Sequence, residues 1–350
     1  TFIFTLMNHE YFMQRCLELA VIGLAEASPN PSVGAVLVHN NTIISEGYTS
    51  SYGGPHAEVN CIQNVKAEEQ HLIKESKLYV SLEPCSHYGR TPPCSDLIIA
   101  NKIPQVIIAN KDPNPLVSGK GAAALNAAGI KLVEGVLEKE GFEVNRRFFT
   151  FHAKRRPYIT LKWAQTAHGY FAPDHKSQFW ITNKKTKALV HSWRSQEMGI
   201  LVGENTILND NPRLNTRLVV GKNPLRIVIN TNQHLNNALQ IFQDAHPTLI
   251  FTFEKRTDFN EVKFVHLNEE EPITKQVLDK LYDLNVNSVI VEGGAFTLNS
   301  FIEDGLWDEA RILTGVRELS SGIKAPKVVG KLKESFSILN DKIEILRNNS

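Results

Sequence analysis

Residues 77–94 read KLYVSLEPCSHYGRTPPC. The opening run is short, apolar and rich in β-formers, the pattern of a buried strand. It runs straight into Cys85. A second cysteine behind a proline, Cys94, then opens PPCSDLIIAN (92–101), a segment that reads as a helix. Upstream, PHAEVNC (55–61) sets His56 and Glu58 two apart at the start of another helical segment. A strand end and two helix starts can bring an imidazole, two thiols and a carboxylate to one edge of a sheet.

The flanking sequence repeats this alternation. EYFMQRCLELAVIGLAEA (10–27) has Phe12, Cys16, Leu19 and Leu24 at helical spacing. PNPSVGAVLVHNNTIISEGYT (29–49) holds two β-rich runs around the turn His39-Asn40-Asn41. QVIIAN (105–110) is a strand. GKGAAALNAAG (119–129) is a helix stopped by Gly129, and IKLVEG (130–135) is a strand after it. Strands alternating with helices imply a three-layer α/β domain that ends near residue 145. NRRFFTFHAKRRP (145–157) is basic, is broken by Pro157 and reads as a linker. A second α/β unit restarts with YITLKWAQT (158–166). Strands are expected in GILVG (199–203), LRIVIN (225–230), TLIFTF (248–253), SVIVEGG (288–294) and ARILTGV (310–316). Helices are expected in 183–196, 272–285 and 296–305. The domains are placed at 7–147 and 155–350, with no internal repeat.

Catalytic zinc takes three protein ligands and keeps a fourth position open for water. His56, Cys85 and Cys94 offer one nitrogen and two sulfurs, and two thiolates leave the zinc site neutral in charge. Such a site lowers the pKa of bound water to about 7. Glu58, two past His56, diverges from it on a helix. It is suited to lean over the open position and carry protons. This is the histidine, glutamate and cysteine pattern of zinc deaminases, whose two cysteines usually stand two residues apart. Here eight residues, SHYGRTPP, separate them. The alternative is that His56 caps a helix and the cysteines are small buried hydrophobes. Cys16 and Cys61 fall in helical patterns without a partner motif and read as core.

With PNPSVGAVLV, SEGYTSSYGGPHAEVNC, SLEPCSHYGRTPPC, KDPNP, WIT, GENTILNDNPRL and VEGG in place, the chain resembles the bifunctional riboflavin-biosynthesis (RibD) family, a pyrimidine deaminase fused to a reductase. The likeness runs from about residue 9 to the end. It implies a three-layer α/β/α cytidine-deaminase-like domain followed by a dihydrofolate-reductase-like α/β domain. The implied first reaction removes the 2-amino group of a 2,5-diamino-6-ribosylamino-pyrimidinone 5′-phosphate. The second uses NADPH to reduce its ribosyl side chain to ribityl. The resemblance makes His56, Cys85 and Cys94 the ligands of one zinc and Glu58 the proton shuttle. Asn30, His87 and Arg90 become substrate contacts, with Arg90 suited to a phosphate. One departure is Thr49, where the family often has a histidine.

In the second half, SVIVEGGAFTLNS is a strand, two glycines and a helix start, a place where open N–H groups favour an anion. It does not match G-x-G-x-x-G, so no Rossmann domain is expected. The resemblance assigns Ala164, Trp180, Thr206, Asp210, Gly294, Ala295, Phe296, Thr297, Leu298, Asn299 and Ser300 to NADPH. It assigns Gln178, Arg194, Leu214, Arg217 and Glu292 to substrate, the arginines facing its phosphate. Gln178 replaces a family serine, and His168 replaces an aspartate. Lys162 and Asp210 are both candidates for the polar partner of hydride transfer.

Composition bounds the alternatives. The 350 residues are 42% hydrophobic and 21% charged with net charge +1, a globular profile without the basic excess of a nucleic-acid surface. No apolar run has the length of a membrane span. The apolar opening TFIFTLMNHEYF lacks a basic n-region and is not expected to be a secretory signal; Met7 is the expected natural start. Four cysteines fit a cytoplasmic protein with reduced thiols. A nucleic-acid base deaminase would need a basic, aromatic-laced patch. A structural zinc module would need a fourth ligand, for which Cys61 is the one nearby candidate. An enzyme with one inactive half is a further alternative, raised by Thr49, Gln178 and His168. A small-molecule substrate and a homo-oligomer, dimer or tetramer, complete the expectations.

Overall fold

The structure is a computed structural model that describes residues 2–88, 92–115, 117–174, 179–232 and 235–349, with side chains from His9 onward. Arg90 and Gln178 lie outside the described residues. The chain forms two compact units, Thr1–Lys154 and Arg155–Ser350.

The helices of the first unit are α1 (Phe2–Ala27), α2 (Ala57–Gln63), α3 (Cys94–Ala100), α4 (Lys120–Ala127), α5 (Glu138–Val144) and α6 (Arg146–Lys154). Its strands are β1 (Gly34–His39), β2 (Thr42–Tyr48), β3 (Lys77–Leu82), β4 (Gln105–Asn110) and β5 (Lys131–Val133). They form one sheet in the order β2-β1-β3-β4-β5. β1 is antiparallel to β2 and β3, whereas β3, β4 and β5 run parallel. Asn40 and Asn41 turn the β1–β2 hairpin with φ of 46° and 62°, the left-handed pair that a tight two-residue hairpin needs. Strand alternation sends Ala35 and Leu37 to one face, against Cys61, Ile98 and Leu125. Val36 and Val38 go to the other, against Phe12, Met13 and Cys16 of α1. Three layers follow, and Cys16 and Cys61 are core residues on opposite faces.

The stretch 145–157 is not a free linker. Arg146–Lys154 is helix α6, with Phe148, Phe149 and Phe151 buried and its basic residues turned outward. Phe148 and Phe149 pack on Leu82. The charges hid an amphipathic helix, and Pro157 marks where the next segment starts.

The second unit contains β6 (Tyr158–Thr166), β7 (Tyr170–Ala172), β8 (Gly199–Gly203), β9 (Leu225–Ile229), β10 (Thr248–Thr252), β11 (Val262–His266), β12 (Ser288–Gly293) and β13 (Glu309–Gly315). After these come β14 (Ile323–Lys324), β15 (Lys331–Ile338) and β16 (Asp341–Arg347). Its helices are α7 (Lys184–Ser195), α8 (Glu204–Asp210), α9 (Ile273–Asp283) and α10 (Ala295–Glu303). A nine-stranded sheet runs β11-β10-β9-β8-β12-β6-β13-β16-β15, and β14 pairs with β7. Its first seven strands are parallel, and β16 and β15 close the edge antiparallel. α7 and α8 cover one face through Val190, Trp193 and Ile207. α9 and α10 cover the other through Val277, Leu281, Leu298 and Phe301. β8 leads on to β9 on one side while β12 leads to β13 on the other. The neighbours β8 and β12 therefore flank a topological switch point, where open α/β sheets form a crevice beyond the strand ends.

Candidate metal centre and nucleotide cleft

In the first unit, β3 runs into the loop that carries Cys85, and Cys94 is the first residue of α3. His56 holds the N-cap position of α2, yet its side chain caps nothing. Its Nδ1 instead stands 3.6 Å from Cys85 Sγ and 3.3 Å from Cys94 Sγ. The three ligand atoms lie within 4.8 Å of one another. Tetrahedral zinc, with bonds of about 2.3 Å to sulfur and about 2.0 Å to nitrogen, sets N···S near ~3.5 Å, so the residues fit zinc. The eight-residue loop therefore does not keep the thiols apart. Cys94 N–H donates to Cys85 Sγ at 3.3 Å, a contact that favours a thiolate. The Cys94 thiol and then His56 pull the Cys85 thiol down, and the same contact pushes Cys94 up. Cys61 is not in the group; its thiol faces Ser45 O at 3.6 Å. No side chain among the described residues joins the three as a fourth ligand.

Glu58 lies in the first turn of α2, 4% exposed, with its carboxyl beside the Cys94 thiol. Burial first, and then the charge of Cys85, push it up to about 7. A buried acid near neutrality beside three converging ligand atoms is the environment in which side chains that carry protons are found. Asn30 and His87 are exposed on the loops before β1 and after β3. Thr49 is buried, and its hydroxyl accepts from Val33 N at 2.9 Å and donates to Val33 O at 3.3 Å. Its hydrogen bonds are spent on the backbone. Sequence reasoning missed Glu83 and Asp112. Glu83 is buried and accepts from the amides of Asp112, Gly119 and Ala122 at 3.2, 3.1 and 3.0 Å, which ties the KDPNP loop and the start of α4 to the strand end that carries Cys85. The EPC and KDPNP strings carried that signal.

In the second unit, a cleft of about 870 Å³ opens at the ends of β8 and β12. Gly293 has φ 122°, where a Cβ is strained, and one added there would stand 3.2 Å from the Phe171 ring. A Cβ on Gly203 would strike the Thr297 side chain, so this glycine lets the start of α10 approach the end of β8. The first turn of α10 has no acidic residue and no side-chain cap. Its amides are open to an anion such as a pyrophosphate, and the cradle fits a dinucleotide. Thr206, Asp210, Gly294, Ala295, Phe296, Thr297 and Ser300 line the cleft. Leu298, Asn299, Ala164 and Trp180 do not; Leu298 packs in the core below, and Ala164 packs against the α7 face.

Of the expected substrate residues, Arg194 pairs with Glu292 and Arg217 feels its charge. Arg194 grips its two oxygens at 2.6 and 2.8 Å, and Lys162 Nζ reaches it at 3.3 Å. Burial alone would raise the Glu292 carboxyl; Arg194 and Lys162 overcome it and hold the group at about 2. Arg217 N–H donates to His191 Nδ1 at 3.2 Å. Burial, then Arg194 and Arg217, hold His191 down at about 4, so it is neutral at working pH. Leu214 is packed in the core at 2% exposure. Lys162 thus joins the Glu292 cluster, while Asp210 belongs to the cleft wall. His191 and Lys187 were missed, although Lys187, His191 and Arg194 stand at helical spacing in one segment.

The two units are those of a zinc-site deaminase and a nucleotide-dependent reductase carried on one chain. Residues 6–110 match the cytidine and deoxycytidylate deaminase zinc-binding region, and residues 157–337 match the RibD C-terminal domain. The riboflavin biosynthesis protein RibD of Aquifex aeolicus is 37% identical over 341 residues, covering 96% of this chain and 95% of that protein. A solved RibD of Acinetobacter baumannii superposes with TM-score 0.90 at 28% identity, over 99% of this chain and all of that one. The Thermotoga maritima diaminohydroxyphosphoribosylaminopyrimidine deaminase/5-amino-6-(5-phosphoribosylamino)uracil reductase gives TM-score 0.87 at 33% identity, over 98% and 99%. The chain belongs to the RibD family, bifunctional deaminase–reductases of riboflavin biosynthesis that use zinc and NADPH. Among the described residues no helix is long and apolar enough to cross a membrane.

Proposed function

We propose that the chain carries out both successive steps, deaminating a diaminopyrimidine ribosyl phosphate in residues 7–147 and reducing its ribosyl group in residues 155–350. The convergence of His56, Cys85 and Cys94 beside buried Glu58 carries this reading. His56, Cys85 and Cys94 hold the zinc, which when bound supplies a Lewis acid that acidifies water. Glu58 takes a proton from the attacking water and returns it to the departing amine, so water and an amino group become a carbonyl and ammonia. Asn30, His87 and Arg90 orient the substrate. In the second unit Thr206, Asp210, Gly294, Ala295, Phe296, Thr297 and Ser300, which line the cleft, seat NADPH. NADPH, when bound, would supply the hydride for the electrophilic carbon of the opened sugar, and Lys162 or Asp210 would provide the proton that completes the reduction. Gln178, Leu214 and Glu292 bound the substrate, and Arg194 and Arg217 take its phosphate. The protein works in the cytoplasm as a homo-oligomer.

The test is incubation with the diaminopyrimidine phosphate, with and without NADPH. Ammonia release should need no NADPH. Loss of nicotinamide absorbance should need both the pyrimidine and NADPH. Ammonia release without any nicotinamide oxidation would leave the second unit without its assigned activity.

A further inference from the structure

Helix α7 places Lys187, His191 and Arg194 at i, i+4 and i+7, on one face. Arg217 stands over the middle of that row, its amide on His191. Lys187 is half-buried, and Arg217 and Arg194 are the charges that bear on it, both repulsive. None of the ion pairs among the described residues includes Lys187 or Arg217. Lys187 Nζ rests instead 3.5 Å from the centroid of the Trp180 ring, a half-exposed indole. Lys162 and Arg194 pair with the carboxylate of Glu292, Arg217 feels its charge, Lys187 feels only the two arginines, and His191 between them adds no charge. Four cations against one anion leave a net +3.

Such crowding is unfavourable for the fold. The first turn of α7 also carries Lys184 and Lys185, where the helix dipole favours acids. The arrangement becomes complementary when a phosphate monoester enters, with a charge of about −1.5 to −2 at pH 7. A cation resting on a half-exposed indole is weakly held, and a charge-assisted hydrogen bond to phosphate is stronger.

We propose that Lys187, parked over Trp180, is the third cation of the substrate-phosphate subsite of the reductase and makes that unit select a phosphorylated substrate over its dephosphorylated riboside. The inference rests on the reading of Arg194 and Arg217 given above and adds a residue that reading does not include. Lys187 moves off the indole onto the phosphate when substrate binds. No bond is made or broken, so Lys187 contributes to KM and specificity rather than to kcat.

The test compares wild type, Lys187→Gln, Lys187→Arg and Arg217→Ala. Reduction of the phosphorylated pyrimidine, inhibition by inorganic phosphate and NADPH affinity are measured for each, with ammonia release as the internal control. Lys187→Gln should raise KM and the phosphate inhibition constant about tenfold, a loss of about 1.4 kcal/mol. Its kcat, NADPH affinity and ammonia release should stay unchanged, and Lys187→Arg should behave as wild type. Indole emission gives a readout independent of turnover. Inorganic phosphate should change emission in wild type, and Lys187→Gln and Trp180→Phe should each abolish the change. If Arg217→Ala raises KM while Lys187→Gln does not, the inference on Lys187 fails alone. If neither changes KM, the assignment of the phosphate to Arg217 fails with it. A phosphate response of emission that is identical in wild type and Lys187→Gln, or missing from both, also overturns the role of Lys187.

Discussion

Thr49 stands where the family often has a histidine, and Cys61 was the nearby candidate for a fourth metal ligand. Thr49 closes its hydroxyl onto Val33, and Cys61 turns its thiol to Ser45. His56 is the opposite case: it holds a helix N-cap position, leaves the cap unmade and aims Nδ1 at two sulfurs. Cys85→Ser should therefore lose the metal, checked as zinc per chain by elemental analysis. Glu58→Gln should keep the zinc and lower ammonia release roughly 10²–10⁴-fold, the usual weight of a proton carrier. Turnover retained in that variant would remove Glu58 from the chemistry. Glu292 makes a prediction about pH. Its folded pKa of about 2 lies below the ordinary 4.5. A depressed acid contributes stability that is fully present above the unfolded pKa and is lost as pH falls towards the folded one. Melting temperature should drop between about pH 4.5 and 2, and Glu292→Gln should flatten that part of the drop.

At the scale of elements, α7 carries Lys187, His191 and Arg194 on one face. Asn183 caps it, accepting from the amides of Lys185 and Thr186 at 2.9 and 3.0 Å. The same side chain donates to Ile338 O and to buried Asp341, which fixes α7 to the β15–β16 hairpin. Asn183→Ala should cost about 1 kcal/mol for the cap. It should cost about 1–3 kcal/mol more for the acceptors left without a donor. A lower melting temperature, together with a rise in the KM of reduction and unchanged ammonia release, would check it. The hairpin was not read from the sequence: Leu332, Phe336 and Ile338 alternate in KLKESFSI, but Glu334 breaks the run and β15 is exposed along most of its length. α8 was not read, because ENTILND is mostly polar and Ile207 is its one buried residue. α6 was hidden by its charges, although Phe148, Phe149 and Phe151 were there to be read. α2, α3, α4, α7, α9 and α10 were legible, because their apolar residues recur at helical spacing between clear stops.

The whole molecule is two units, each with a complete core, and this separates their chemistries. Chelation should abolish ammonia release and leave reduction of the deaminated substrate intact; a parallel loss of reduction would show that the units depend on one metal. The start of the second unit is fastened by Asp308, which holds Arg156 at 2.6 and 2.9 Å and the amide of Ile159 at 2.8 Å. Both side chains are nearly buried. Asp308→Asn should cost about 3 kcal/mol, read in urea as an earlier unfolding of the reductase unit alone. Sequence by itself determined the α/β alternation, the metal ligands and the glycines at the end of β12. Each of these is a short-range pattern, set by residue type and spacing along the chain. Only the tertiary structure decided that an eight-residue loop still closes two thiols on one imidazole, and that Lys162 meets Glu292 while Asp210 lines the cleft. It alone set Lys187 and Arg217 beside the pairing of Lys162 and Arg194 with Glu292. Those pairings join strands and helices far apart in the chain, and the distance between two side chains is set by sheet order and packing rather than by any local pattern.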